Sequence, residues 1–168
     1  MSMTLNPVNE AAFQKAVQSL ETLNRAAVFH PTGTGKSCIA WKVVEAHPQT
    51  TFFWLVAGAQ RLALRQAELT RYNGGTLPGN VRFCDCEKLA AATPEQWVRL
   101  GEQKPGCIVL DCYHELSAVC WAQSVQKLLR MCPQAKVLGL GVPNGAPVCA
   151  AAQELFADCI VSHMTVAE

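Results

Sequence analysis

Six short apolar runs punctuate the chain, at Ala26 to Phe29, Thr51 to Val56, Val81 to Cys84, Cys107 to Leu110, Lys136 to Leu140 and Cys159 to Val161. Each is too short for a helix, so they read as strands, and Cys107 to Leu110 reads as one buried on both sides. Helical spacing separates most of them. The first helical pattern follows Asn6-Pro7 and carries Ala12, Phe13, Ala16, Val17 and Leu20. The second runs from Ser37 to Ala46 and stops at His47-Pro48, because proline disfavours helix in the residue before it. Thr93-Pro94-Glu95-Gln96 is a helix start, with a capping threonine, proline at the first helical position and glutamine placed to close a capping box. Asn73 to Gly79 reads as a turn-rich loop. Strands alternating with helices predict an α/β domain in three layers, a mostly parallel sheet with helices on both faces. Ligands of such folds bind beyond the carboxyl ends of the strands.

The chemistry falls at two of those ends. After the first strand comes Pro31-Thr32-Gly33-Thr34-Gly35-Lys36-Ser37, and then a helix. A polyphosphate needs close backbone N–H donors, a cation and a magnesium ligand, and a glycine-rich strand-to-helix turn ending in Lys-Ser supplies all three. In that reading Gly33 and Gly35 let the backbone wrap the phosphates, Lys36 reaches the β and γ oxygens and Ser37 holds magnesium. The strict phosphate-loop pattern has glycine where this chain has His30, so the context of strand, loop and helix carries the assignment. The competing reading is an ordinary glycine-rich turn. The fourth strand ends in Asp111, followed by Cys112, Tyr113 and His114. An acid there suits a magnesium ligand, and it equally suits a cap for the next helix.

With Asp111-Cys112-Tyr113-His114 beside the loop, the chain resembles the first RecA-like domain of superfamily 2 DEAD/DEAH-box helicases, P-loop NTPases whose bacterial members carry a Pro-Thr-Gly-Thr-Gly-Lys-[Ser/Thr] loop. Phe13-Gln14 stands where the family has an aromatic-Gln pair on the adenine. Trp54 to Gln66 and Phe83 to Leu89 look like its nucleic-acid contact segments. Leu138 to Asn144 stands where it has Leu-Gly-Leu-[Ser/Thr]-Ala-Thr, and Glu154 through Glu168 looks like its exit strand. The resemblance implies ATP and magnesium as ligands. Phe13, Gln14 and Thr32 to Ser37 would hold the nucleotide, Ser37 and Asp111 the metal, and Asp111 and His114 would serve catalysis, with His114 linking the nucleotide site to the Leu138 segment. It also implies a nucleic-acid partner, DNA rather than RNA, and a second RecA-like domain or protein partner.

The departures point to impaired chemistry. Cys112 replaces the glutamate that orients the attacking water, and a neutral thiol is a poor acceptor. Loss of such a group costs about 10² to 10⁴ in rate. Glu115 is the nearest spare acid, expected a helical turn beyond the site. Gly141-Val142-Pro143 replaces the hydroxyl-bearing segment that couples nucleotide to nucleic acid. At 168 residues the chain has room for one compact domain. The expectation is a single ATP-binding domain over residues 1–168, lacking the second half and unable to unwind alone. The alternative is a degenerate, non-catalytic helicase-like module that binds a partner.

Composition adds limits. A net charge of +1 with 16% charged residues gives no basic footprint of a nucleic-acid binder. Arg61 and Arg65, one helical turn apart, and Arg71 are placed either to touch phosphates or to form a solvated helix face. Nine cysteines without a Cys-x-x-Cys pair argue against a standard zinc site or a disulfide framework. Cys38, Cys107 and Cys159 read as small core residues. Cys84, Cys86, Cys112 and His114 remain a non-standard zinc alternative. No stretch approaches the ~20 apolar residues of a membrane span, and the expected location is cytoplasmic.

Overall fold

The computed structural model describes residues 3–143 and 150–165. Asn144 and residues 166–168, the ends of two segments singled out above, lie outside the described residues. Helix α1 (Pro7–Thr22) leads into β1 (Arg25–Phe29), α2 (Lys36–Ala46), β2 (Phe52–Val56), α3 (Ala59–Tyr72) and β3 (Val81–Asp85). Then come α4 (Cys86–Ala90), α5 (Pro94–Glu102), β4 (Cys107–Asp111) and a 3₁₀ turn (Tyr113–Glu115). A broken helix follows, α6 (Ala118–Cys120) and α7 (Gln126–Met131) joined by a π-helical turn (Trp121–Val125). The order ends with β5 (Lys136–Gly141), α8 (Ala150–Leu155) and β6 (Ile160–His163).

The six strands form one sheet in the order β3-β2-β4-β5-β1-β6, and every pairing is parallel. Both faces are covered at the centre of the sheet, where β2 and β4 are buried throughout. Alternation sends Phe52, Trp54 and Val56 into the layer shared with α1 and α2, and Phe53 and Leu55 into the layer that holds Trp97, Trp121, Leu128 and Phe156. The predicted three-layer α/β architecture is what the chain adopts.

Local rules set the helix starts. Asn6 caps α1 by accepting from the Asn9 N–H at 2.8 Å, with Pro7 at the first position. The capping box at Thr93 and Gln96 closes as the sequence predicts. Strand β6 runs two residues past the apolar run, because Ser162 and His163 pair with Val28 and Phe29 whatever their polarity. Among the described residues no helix is long and apolar enough to cross a membrane.

Parallel pairing puts the carboxyl ends of all six strands on one edge. The loop after β1 and the acid at the tip of β4 therefore face the same edge with only β5 between them, a span of roughly 10 Å at the usual strand spacing.

Candidate functional site

The loop from His30 to Ser37 takes its shape from two glycines in the left-handed region, Gly33 at φ 83° and Gly35 at φ 90°. Gly33 borders open space, whereas a Cβ on Gly35 would lie 2.8 Å from the Asn9 amide nitrogen. Asn9 is buried on α1 and donates to the Thr34 carbonyl at 2.8 Å, so the first helix braces the loop from behind. His30 is absent from the positive-φ positions, so this fold needs no glycine there and the departure from the strict pattern costs no backbone strain. Its ring is fully buried, with Nε2 2.7 Å from the Ser162 hydroxyl, tying the loop to β6. Burial, with Lys36 and His163 nearby, lowers the His30 pKa.

The N–H groups of Gly33, Gly35, Lys36 and Ser37 find no acceptor among the described residues. The last two open α2, where the first turn has no intrahelical partner and the helix dipole favours an anion. Lys36 Nζ donates to the carbonyls of His30 at 2.7 Å and Pro31 at 2.8 Å, folding over its own loop. Burial lowers its pKa, with Cys112 and Asp111 acting the other way. Ser37 is largely buried, and the Tyr72 hydroxyl accepts from the neighbouring Cys38 thiol at 3.3 Å.

At the tip of β4 the carboxylate of Asp111 is 3% exposed and already engaged. Arg65 of α3 grips it with two nitrogens, Nε on Oδ2 and Nη2 on Oδ1, the latter at 3.2 Å. The buried indole of Trp54 donates to Oδ2 at 2.9 Å. Arg65 also pairs with Glu68, and although burial works against its charge, Asp111 and Glu68 raise its pKa overall. Arg65 is thus committed within the domain, while Arg61 stays on the exposed face of α3 and pairs with Glu115. Arg71 lies 5.3 Å from the ring centre of its neighbour Tyr72.

Cys112 sits in the left-handed region at φ 53°, an uncommon conformation for a side-chain-bearing residue. Burial first, then Asp111, pushes its thiol up to about 12, so it is neutral at physiological pH. Glu115 lies in the 3₁₀ turn, 3.4 Å from His114 Nε2 and spent on Arg61. The His114 ring is buried and its pKa lowered by that burial, and Nδ1 has no partner. The described part of the Leu138 segment offers it no hydroxyl, and Gly141 has a packing reason: a Cβ there would come within 2.9 Å of Phe29 and Tyr113, whose rings meet edge to face at 5.5 Å.

Phe13 is half-buried against the α1 and α2 layer, and Gln14 is exposed with its amide on Glu10 at 2.9 Å. Of the cysteines read as core, Cys107 is buried while Cys38 and Cys159 are only half-buried. Among the described residues no group of histidine, cysteine and acid residues is placed to hold a metal, which removes the zinc alternative. The functional residues that sequence reasoning missed are Asn9, Trp54 and Ser162. Asn9 left a signal, a polar side chain on the apolar stripe of α1 shared with Ala12 and Ala16.

No family model and no curated protein sequence matches the chain. Solved structures do. The UvsW helicase of bacteriophage T4 is 13% identical with a TM-score of 0.61, over 83% of this chain and 52% of that one. The Escherichia coli DEAH/RHA helicase HrpB is 17% identical with a TM-score of 0.66, over 94% of this chain and 22% of that one. The ATP-dependent type ISP restriction-modification enzyme LlaBIII, bound to DNA, is 15% identical with a TM-score of 0.60, over 83% and 13%. The chain therefore spans about half or less of the proteins it resembles. Taken with the parallel sheet and the loop after β1, these likenesses make its fold that of a helicase RecA-like domain.

Proposed function

We propose that this chain is the ATP-binding domain of a DEAD/DEAH-type helicase architecture, one that binds nucleoside triphosphate and hydrolyses it poorly. The observation that carries the reading is the set of N–H groups at Gly33, Gly35, Lys36 and Ser37, which have no acceptor among the described residues and lie in and just before the start of a helix. Donors arranged this way fit an anion, and the open space over Gly33 leaves room for one. On binding, the Lys36 ammonium would exchange the His30 and Pro31 carbonyls for phosphate oxygens. Phe13 and Gln14 are the proposed adenine contacts, Gln14 after leaving Glu10.

Poor hydrolysis rests on the β4 tip. Cys112 is a neutral thiol where a base is needed, Glu115 is held by Arg61, and burial disfavours the charged form of His114. Magnesium, which the fold family implies, does not fit Asp111 as it stands: a carboxylate offers about four acceptor positions, and Arg65 and Trp54 take three. A nucleic-acid partner, DNA before RNA, is supported by the shared fold alone, since Arg61 and Arg65 are spent within the domain. A second RecA-like domain acting in trans belongs to the same reading.

Calorimetric titration with a non-hydrolysable ATP analogue tests it. The native chain should bind saturably, and Lys36→Ala should bind about 10- to 100-fold more weakly, the worth of a hydrogen bond to a charged group. Absence of binding to the native chain refutes the reading.

A further inference from the structure

The arginine on Asp111 stands where the fold family would have a metal ion answer the acid. Resting on the nucleotide reading above, we propose that the phosphate loop takes its nucleoside triphosphate without magnesium, and that Arg65 is the residue that makes it so.

Two observations on different elements carry this. First, Asp111 is held from two directions: α3 supplies the two-pronged guanidinium and β2 the Trp54 indole. A bidentate Arg–carboxylate pair is the strongest common form of ion pair, and this one is shielded, with Asp111 3% and the Arg65 side chain 17% exposed. Magnesium demands near-octahedral oxygen ligands at 2.0–2.1 Å and sheds water reluctantly, so it competes badly for the one acceptor position that remains. It would also have to approach beside a fixed positive charge. Second, the other expected ligand, Ser37, is largely buried at the start of α2. Breaking the pair to admit a metal would also uncover the Arg65 charge that Asp111 and Glu68 now share.

The arrangement separates two jobs that one metal ion usually does together. Neutralising the phosphates falls to Lys36 and the loop N–H groups. Organising an attacking water falls to nothing, in keeping with Cys112 beside the acid.

The test is calorimetric titration of the native chain with the non-hydrolysable analogue AMP-PNP, once in excess magnesium and once in excess EDTA, repeated with Arg65→Gln. The native chain is expected to show dissociation constants within about twofold in the two buffers, while R65Q, with Asp111 released, should bind at least about tenfold more tightly in magnesium than in EDTA. Arg65→Lys, a point charge without the two-pronged geometry, should fall between them. Native binding that weakens about tenfold or more in EDTA overturns the inference and leaves the nucleotide reading standing. Absence of binding in both buffers overturns the nucleotide reading and this inference with it. The native comparison decides without any variant, so misfolding of R65Q, seen by circular dichroism, leaves the test intact. A folded R65Q without magnesium preference would remove Arg65 from the account.

Discussion

The tips of β1 and β4 lie on the same edge of the sheet, and they differ in what their polar groups are doing. At β1 the donors are poised and unspent: backbone N–H groups without acceptors, a lysine parked on replaceable carbonyls, and a brace from Asn9 that holds the loop from outside. At β4 nearly every polar group is already consumed or neutral. Asp111 is held by Arg65 and Trp54, Glu115 by Arg61, Cys112 keeps its proton and His114 Nδ1 faces nothing. The lesson is that the two tips draw on different polar groups: one can keep its donors unspent while the other is committed to ion pairs.

The largest expected effect comes from repairing the β4 tip. Cys112→Glu combined with Arg65→Gln restores a carboxylate base and frees Asp111, and with a second RecA-like domain supplied in trans should raise ATP hydrolysis on the order of 10²-fold, the lower range for a general base. Cys112→Glu alone should gain far less, because Arg65 still holds the acid. Phosphate-release kinetics measure both, and equal gains would mean the ion pair is no obstacle.

Damaging the β1 tip is the converse. Gly35→Ala forces a side chain onto φ 90° and into Asn9, and should cost about 1–3 kcal/mol of stability by thermal or chemical unfolding, with nucleotide binding lost. A smaller effect is expected at the seam between the two tips. Gly141→Ser returns a hydroxyl near His114 but collides with the Phe29 and Tyr113 rings, and about 1–2 kcal/mol of destabilisation should outweigh any gain from the new hydrogen bond. A more stable variant would show that the ring pair yields easily.

The smallest effect concerns pH. His30 is buried with a lowered pKa, so its neutral form is favoured in the folded state. The stability it contributes is present above its unfolded pKa of about 6.5 and is lost as pH falls through the lower folded value. Unfolding midpoints of the native chain should therefore decline below about pH 6.5, and His30→Gln should flatten that part of the curve. A curve unchanged by H30Q would place the acid sensitivity elsewhere, His114 being next.

The sheet and the loop were legible because their signals are local. Six apolar runs, the Asn6-Pro7 start and the Thr93 capping box needed only neighbours in sequence, and every predicted strand is present. Boundaries moved where pairing overrode polarity, as at Ser162 and His163. The cysteines at 38 and 159 came out half-buried, since apolar neighbours in sequence do not ensure cover by the fold.

What the sequence by itself determined is the fold class and the glycine-rich loop after β1, with Cys112 beside the acid at the tip of β4. What only the tertiary structure decided is the state of Asp111. Arg65 lies 46 positions away in the chain and Trp54 57, and nothing in their spacing announces that α3 and β2 converge on the tip of β4. A charge reads as surface until the sheet order is known. Once β2 is laid beside β4, a buried acid must find a cation and a donor, and those two residues are the ones within reach.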